Sequence, residues 1–287
     1  MTLLAVPNVS EGRDPRLIED LSRAAQVGTN RVLDVHSDPV HNRSVLTVTG
    51  EPGDLVEGCV ALAAACRERI DLTGQSGVHP RLGALDVCPF VPHHDDMEIA
   101  VSAAKAASTA IGQGLGIPVY LYGAAATRSH ARELPELRRG GLRRLQERAL
   151  SDLTPDAGPP RFDPRCGVVC IGARGPLIAF NVWIESDPDT ARAIAARMRS
   201  PSVRALGLHI SDRTCQVSMN LVDPSVTGIE VAFQQVAAAA QATGATITAT
   251  EIVGLVEERF LPSPDATVTR LLLQPGHSLE ASLGEKP

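Results

Sequence analysis

The sequence predicts an α/β protein of two subdomains: an N-terminal layered α/β domain with a mixed sheet, and a smaller C-terminal α+β sandwich. Three observations carry this. Apolar runs of strand character alternate with Ala-rich helical stretches over residues 1–125. A break rich in proline and glycine spans 154–167, where neither a helix nor a central strand is sustained. Beyond it the order ββαββαβ suggests helices on one face of an antiparallel sheet. The boundary is placed between 1–165 and 166–287. No repeat with a period of roughly 20–50 residues is present.

Thr2 to Val6 reads as a strand stopped at Pro7, and Asn8 to Gly12 as a turn. Asp14-Pro15 opens a helix, with Asp at the N-cap and Pro at the first helical position. Leu17, Ile18, Leu21, Ala24 and Ala25 form its apolar face, and Gly28-Thr-Asn30 closes it. Strands follow at Arg31–Val35 and Ser44–Thr49, joined by the polar loop 36–43. A helix runs from Gly53-Asp54 to about Arg69, and a strand from Leu82 to Val91. Asp95-Asp96 start a helix reaching about Gly114, and Pro118–Tyr122 is a fifth strand. Residues 128–148 mix seven arginines with Glu133, Glu136 and Glu147. A solvated helical surface is the simpler reading, and an anion-attracting patch the sharper one. In the second half, Val168–Ile171 and Leu177–Ile184 read as strands about a Gly-Ala-Arg-Gly-Pro turn. A helix from Asp187-Pro188 to Arg199, strands at Val203–Ile210 and Cys215–Val222, a helix at Pro224–Ala242 and a strand at Ala245–Val253 follow, with Thr267–Leu273 a further strand candidate.

Composition narrows the function. Aromatics make up only 3%, so the cores must be built from Ala, Val, Leu and Ile. A net charge of −6 gives no global attraction to nucleic acid, so an anionic ligand would need a local cluster of Arg or Lys. No apolar run is long enough to span a membrane, and the first residues lack the basic start and apolar core of a signal peptide. Six cysteines form no C-x-x-C pair, which points to reduced, buried thiols, a cytoplasmic location and no structural zinc.

The stretch Gly74 to Phe90 concentrates the chemistry. His79, Pro80 and Arg81 stand where a Gly-punctuated loop meets an apolar run carrying Asp86. Pro80 forces His79 into an extended backbone. Histidine is the side chain suited to trading protons near neutral pH. His36, His41, Asn42 and Arg43 share a loop after a strand's carboxyl end, where open α/β sheets place ligands. The 154–167 break is either a domain linker or an ordered binding loop, and Arg161, Phe162 and Arg165 argue for the second, because an aromatic between two cations suits a heteroaromatic anion. His93-His94-Asp95-Asp96 has metal-ligand residue types but poor spacing, and a helix start explains its two aspartates, so no metal is expected. Gly112-x-Gly-x-Gly116 ends a helix instead of following a strand, so it fails as a dinucleotide loop. No G-x-S-x-G occurs. What remains is proton transfer by a positioned His with Arg groups holding anions, which suits group transfer between nitrogen atoms.

Val6-Pro-Asn-Val-Ser-Glu-Gly12, Asp34 to Ser44, Gly77 to Phe90 and Pro118-Val-Tyr-Leu-Tyr-Gly123 occur in order and together closely resemble the glutamate formiminotransferases. The likeness covers residues 2 to about 185, and extends more weakly through Asn181 and Gln216–Asp223. It implies transfer of the formimino group of N-formimino-L-glutamate to N5 of tetrahydrofolate, in histidine degradation. It also implies two α/β subdomains with a charged groove between them, in a homodimer. The family's catalytic His falls on His79. Its folate loop falls on Gly158, Pro159, Pro160, Arg161, Phe162, Asp163, Pro164, Arg165, Cys166 and Gly167. Tetrahydrofolate is then a co-substrate, and neither nucleic acid nor membrane is a partner. Arg81, Asp86, His36, His41, Asn42 and Arg43 are the candidate substrate-binding residues. The chain departs from the animal form in lacking a cyclodeaminase domain, in a shorter second half, and in His36, where that form has an acidic residue. Alternatives are folate-dependent formimino or formyl transfer involving another amine, and a folate-binding protein without catalysis.

Overall fold

The computed structural model describes residues 2–129 and 132–285. The chain divides into two units, Met1–Arg174 and Gly175–Pro287. The division falls after Arg174 and not after 165, because Val169–Ala173 is a strand of the first unit's sheet.

In the first unit the strands are β1 (Thr2–Ala5), β2 (Asn8–Val9), β3 (Arg31–Asp38), β4 (Arg43–Gly50), β5 (Leu85–His93), β6 (Val119–Gly123) and β7 (Val169–Ala173). β3 edges β4, and β1 and β2 both lie between β4 and β5. These pairs are antiparallel, while β7 runs parallel to both β5 and β6, so the sheet is mixed. The expected turn at Asn8–Gly12 thus begins with a short strand. Pro7 explains the interruption before it: it has no N–H for the ladder, though its carbonyl still accepts from Leu46 N at 2.9 Å.

The helices α1 (Pro15–Ala24), α2 (Pro52–Arg69) and α3 (Met97–Thr109) cover one face of this sheet. Asp14 caps α1 as its sequence requires, its carboxylate accepting from Arg16 N at 2.9 Å and Leu17 N at 3.2 Å. The end of α3 widens into a π-turn at Ala110–Gly114. On the other face, α4 (Leu134–Arg138) and α5 (Gly141–Ala149) pack Leu137 and Leu145 against Tyr120, Tyr122, Cys170 and Val87. Strand alternation sorts the two layers: Val119, Leu121, Val169 and Ile171 face α1–α3, while Tyr120, Tyr122 and Cys170 face α4–α5.

The second unit runs β8 (Ile178–Glu185), α6 (Pro188–Met198), β9 (Val203–Ser211), β10 (Thr214–Leu221), α7 (Ile229–Thr243) and β11 (Thr246–Val253). Its sheet order β11-β8-β10-β9 is antiparallel throughout, the split β-α-β arrangement. Phe180, Val182, Val217 and Met219 form a core with α6 and α7 on one face. Two expectations are corrected here. The segments on either side of the Gly-Ala-Arg-Gly-Pro turn belong to different sheets and form no hairpin. Thr267–Leu273 is no strand: Thr267–Arg270 forms a helical turn, α8, with one parallel bridge at Leu272.

Candidate functional site

The site assembles around Asp86, which is fully buried on β5. Asn8 pairs with Val87 and Val9 with Leu85, so Asp86 is the extra residue of a β-bulge. The bulge aims its carboxylate at the sheet face that carries Asn8 and Arg43. Oδ1 accepts from Leu82 N at 2.6 Å and Gly83 N at 3.3 Å. Oδ2 accepts from Arg43 Nη1 and Arg138 Nη2, each at 2.6 Å. Burial alone would push this carboxyl up, but Arg138, Arg43 and the Leu82 amide outweigh it and hold it far below the usual carboxylate range. The two guanidiniums respond differently. Burial holds Arg43 below its ordinary value, whereas for Arg138 burial is outweighed, chiefly by Asp86, and its value lies above the ordinary one; both stay charged at neutral pH. Asn8 Oδ1 steadies Arg43, accepting from Nη2 at 2.9 Å and Nε at 3.2 Å.

His79 is half-buried on the segment between α2 and β5. Its Nδ1 lies 2.8 Å from the Pro80 carbonyl, which can only accept. Nδ1 therefore carries the hydrogen and Nε2 the free lone pair, the tautomer of a base. Burial first, then the charges of Arg43 and Arg138, with a smaller contribution from His41, hold the imidazole well below its ordinary value against the pull of Asp86.

The turn between β3 and β4 closes over this segment. The expected eight-residue loop is tighter than its sequence suggests, because β3 continues to Asp38 and β4 begins at Arg43. His41 is buried, its ring centroid 5.8 Å from that of His79. Its Nε2 makes no hydrogen bond and lies 3.9 Å from Asp38 Oδ2. Arg81 Nη2 donates to the His41 carbonyl at 3.0 Å, and Val78 N to Val40 O at 3.3 Å. Gly77 permits this clasp, since a Cβ there would run into Arg81 and the His41 carbonyl. Asn42 takes a left-handed φ of 49° and accepts from Gly12 N at 3.0 Å, while its Nδ2 donates to Ser76 O at 3.1 Å and to Gln75. His36 lies on β3 opposite Val45, on the sheet face that also carries Arg43. It shares that face with the cluster, though β3 is the sheet's edge.

The loop 154–167 is ordered and pinned to the first unit, so it is not a linker. Gln146 clasps it, accepting from Phe162 N at 2.6 Å and donating to Pro160 O at 2.9 Å. Phe162 packs edge-on to Tyr120 with centroids 6.4 Å apart. Arg165 pairs with Asp71 at 3.1 Å. Gly158, Pro159, Pro160, Arg161, Asp163 and Pro164 face outward, whereas Cys166 and Gly167 are buried. There Ala84 N donates to Cys166 O at 2.8 Å and Val168 N to Leu82 O at 3.0 Å, so the loop's end is laced to the turn that holds Asp86. Every cysteine is buried and free.

Two members of the site escape a sequence reading. Arg138 lies in the arginine-rich stretch read as solvated surface. That reading fits Arg139, Arg143 and Arg144, which pair with Glu136 and Glu147 in the open, but Arg138 turns inward to Asp86. The signal was its spacing, four residues after Leu134 and adjacent to buried Leu137, on the apolar face. Glu11 is also buried, accepting from Arg13 N at 2.6 Å, Asp14 N at 3.0 Å and Gln75 Nε2 at 3.3 Å. At the other candidate, His93-His94, Asp96 occupies the N-cap of α3 without a side-chain capping bond. Among the described residues, no helix is long and apolar enough to cross a membrane.

Comparison with known proteins gives two family matches: the formiminotransferase domain, N-terminal subdomain, over residues 2–174, and the formiminotransferase domain over residues 179–263. The formimidoyltransferase-cyclodeaminase of Sus scrofa is 39% identical over 271 residues, covering 89% of this chain. The chain spans about half the length of that relative, 50%. The glutamate formimidoyltransferase of Streptococcus pyogenes serotype M1 is 36% identical over 266 residues, 89% of each chain. That of Thermoplasma acidophilum is 38% identical over 268 residues, covering 89% of this chain and 88% of the relative.

Proposed function

The chain belongs to the formiminotransferase family, and from that membership and the geometry around Asp86 we propose that it transfers the formimino group of N-formimino-L-glutamate to N5 of tetrahydrofolate, giving 5-formiminotetrahydrofolate and L-glutamate. The observation that carries the reading is an imidazole with a free Nε2 set beside guanidinium groups in excess of their carboxylate. Arg43 and Arg138 share one carboxylate, Asp86, and Arg81 donates only to a carbonyl. Arg81 Nη1 and Arg138 Nε are buried donors without an acceptor. A substrate carboxylate would satisfy them, because buried polar groups left unpaired are costly.

His79 Nε2 accepts the N5 proton as the folate amine attacks the amidine carbon. A C–N bond forms and the carbon becomes tetrahedral. The bond to the glutamate nitrogen then breaks as that nitrogen gains a proton, so the reaction is proton-neutral overall. Arg81 and Arg138, which carry the unpaired donors, take the carboxylates of the donor, and Arg43 adds its charge beside them. Asp86 and Asn42 fix the frame, and His36 and His41 border the same sheet face. Tetrahydrofolate is the co-substrate, with its ring system at Gly158–Gly167 and Arg161 and Arg165 offered to its negative charge. The same reading makes the protein a cytoplasmic homodimer, which its mass in solution tests.

The decisive experiment incubates the protein with tetrahydrofolate and formiminoglutamate and follows the folate absorbance after acid treatment, with other formimino and formyl donors alongside. Turnover with formiminoglutamate at background level would sink the assignment. His79→Ala should lower kcat by about 10²–10⁴-fold with folate binding largely kept, and full activity in that variant would remove His79 from the mechanism.

A further inference from the structure

His41 is unexplained by a one-histidine mechanism. It is 6% exposed, its Nε2 lacks a hydrogen-bond partner, and its ring stands 5.8 Å from the ring of His79. A buried imidazole nitrogen without a partner is uncommon where the fold alone is served. Its setting is also directional. Asp38 Oδ1 accepts from His41 N at 2.8 Å and from Val40 N at 2.7 Å, which fixes the turn. That leaves Oδ2 3.9 Å from His41 Nε2. Arg81 holds the His41 carbonyl and Arg13 Nε the Pro39 carbonyl at 2.9 Å, so the turn is tied from two sides.

We propose that His41, backed by Asp38, is the second proton carrier of the transfer, exchanging a proton with His79 between the two nitrogen steps. This rests on the reading of His79 as the base. Formimino transfer takes a proton from one nitrogen and returns one to another. His79 receives the N5 proton as the first C–N bond forms. It sits among Arg43 and Arg138, which disfavour an imidazolium there, so the proton needs a second seat. His41 supplies it, with the Asp38 carboxylate alongside. The proton returns through His79 to the glutamate nitrogen as the second C–N bond breaks, and no net proton is gained or lost. The charged groups that bear on His41 are Asp38, Arg13 and Arg81 about its own turn, His79 across from it, and Arg43 with Asp86 on the adjoining strands. His41 acts through His79 and is a positioning residue for the proton.

The test uses His41→Gln and Asp38→Asn in the intact protein. His41→Gln should lower kcat by about 10²-fold, leave both KM values within a few-fold, and remove one limb from the pH profile of kcat. Asp38→Asn, which keeps the imidazole, should lower kcat in the same direction with both KM values held. A His41→Gln enzyme with the wild-type pH profile overturns the proposal, whatever its rate. The imidazole proton resonances give a readout that needs no substrate: in His41→Gln, the titration midpoint of His79 should rise, because the neighbouring His41 contributes to holding it down. An unmoved midpoint also overturns the proposal. A wild-type protein inactive with formiminoglutamate would fail the assigned reaction instead, leaving the resonance test of the pair standing.

Discussion

Arg43 and Arg138 donate to the same oxygen of Asp86, each at 2.6 Å, although one begins strand β4 and the other ends helix α4. The bulged aspartate thus joins the helical layer to strand β4 across one face of the sheet. It also brings two positive charges to bear on His79.

Removing that carboxylate strands two guanidiniums in the interior. Asp86→Ala should lose about 3–5 kcal/mol of stability, the usual cost of breaking a buried ion pair from one side. Urea unfolding measures it, and a loss below about 1 kcal/mol would show that Asp86 is not the junction. The pH dependence has a definite sign. The folded carboxyl lies below its unfolded value, so its contribution is complete above pH of about 4 and is lost as the pH falls toward the folded value. The wild type should therefore weaken in acid more steeply than Asp86→Asn.

His79 should act as a base into mildly acidic solution. Its folded value lies below the ordinary one, so the acid limb of kcat/KM should have its midpoint below about 6.5. Because the neutral form is favoured on folding, His79 also contributes stability that is lost as the pH falls below about 6.5.

Arg138→Gln removes one of the charges that depress His79. The acid-limb midpoint should move up, with a KM increase for the carboxylate-bearing donor. An unchanged midpoint would mean that Arg138 serves the fold alone.

Gly77→Ala should break the clasp between the two turns. A methyl group there meets both Arg81 and the buried His41 backbone carbonyl, so the turn must move along with the side chain. The expected signature is a raised KM for the donor together with a measurable loss of stability. A normal KM would separate the clasp from substrate binding.

Phe162→Ala tests the loop at 158–167. Edge-on aromatic pairs contribute about 0.5–1.5 kcal/mol, so losing the contact with Tyr120 should raise the folate KM by roughly 3–10-fold. Donor KM should hold. An equal rise in both would place the loop's role in overall stability.

The sequence by itself determined most of the elements, because their signals are local. Asp14-Pro15 sets where α1 begins, Pro7 splits the first strand, and alternation assigns Tyr120 and Tyr122 to one layer and Leu121 to the other. It also determined the family, and it singled out His79 as the candidate for proton transfer, since His79-Pro80-Arg81 needs no partner from elsewhere to be conspicuous. Tertiary structure alone decided the rest. Val169–Ala173 joined the first sheet because a parallel strand finds its neighbours through long connections that no local pattern records. Arg138 looked like its solvated neighbours until packing carried it to Asp86, and His41, a substrate-binding candidate from its loop, meets His79 only because the turn folds back on it. Charge pairing and burial depend on which distant segments meet, so the electrostatics of the site exist only in the folded chain.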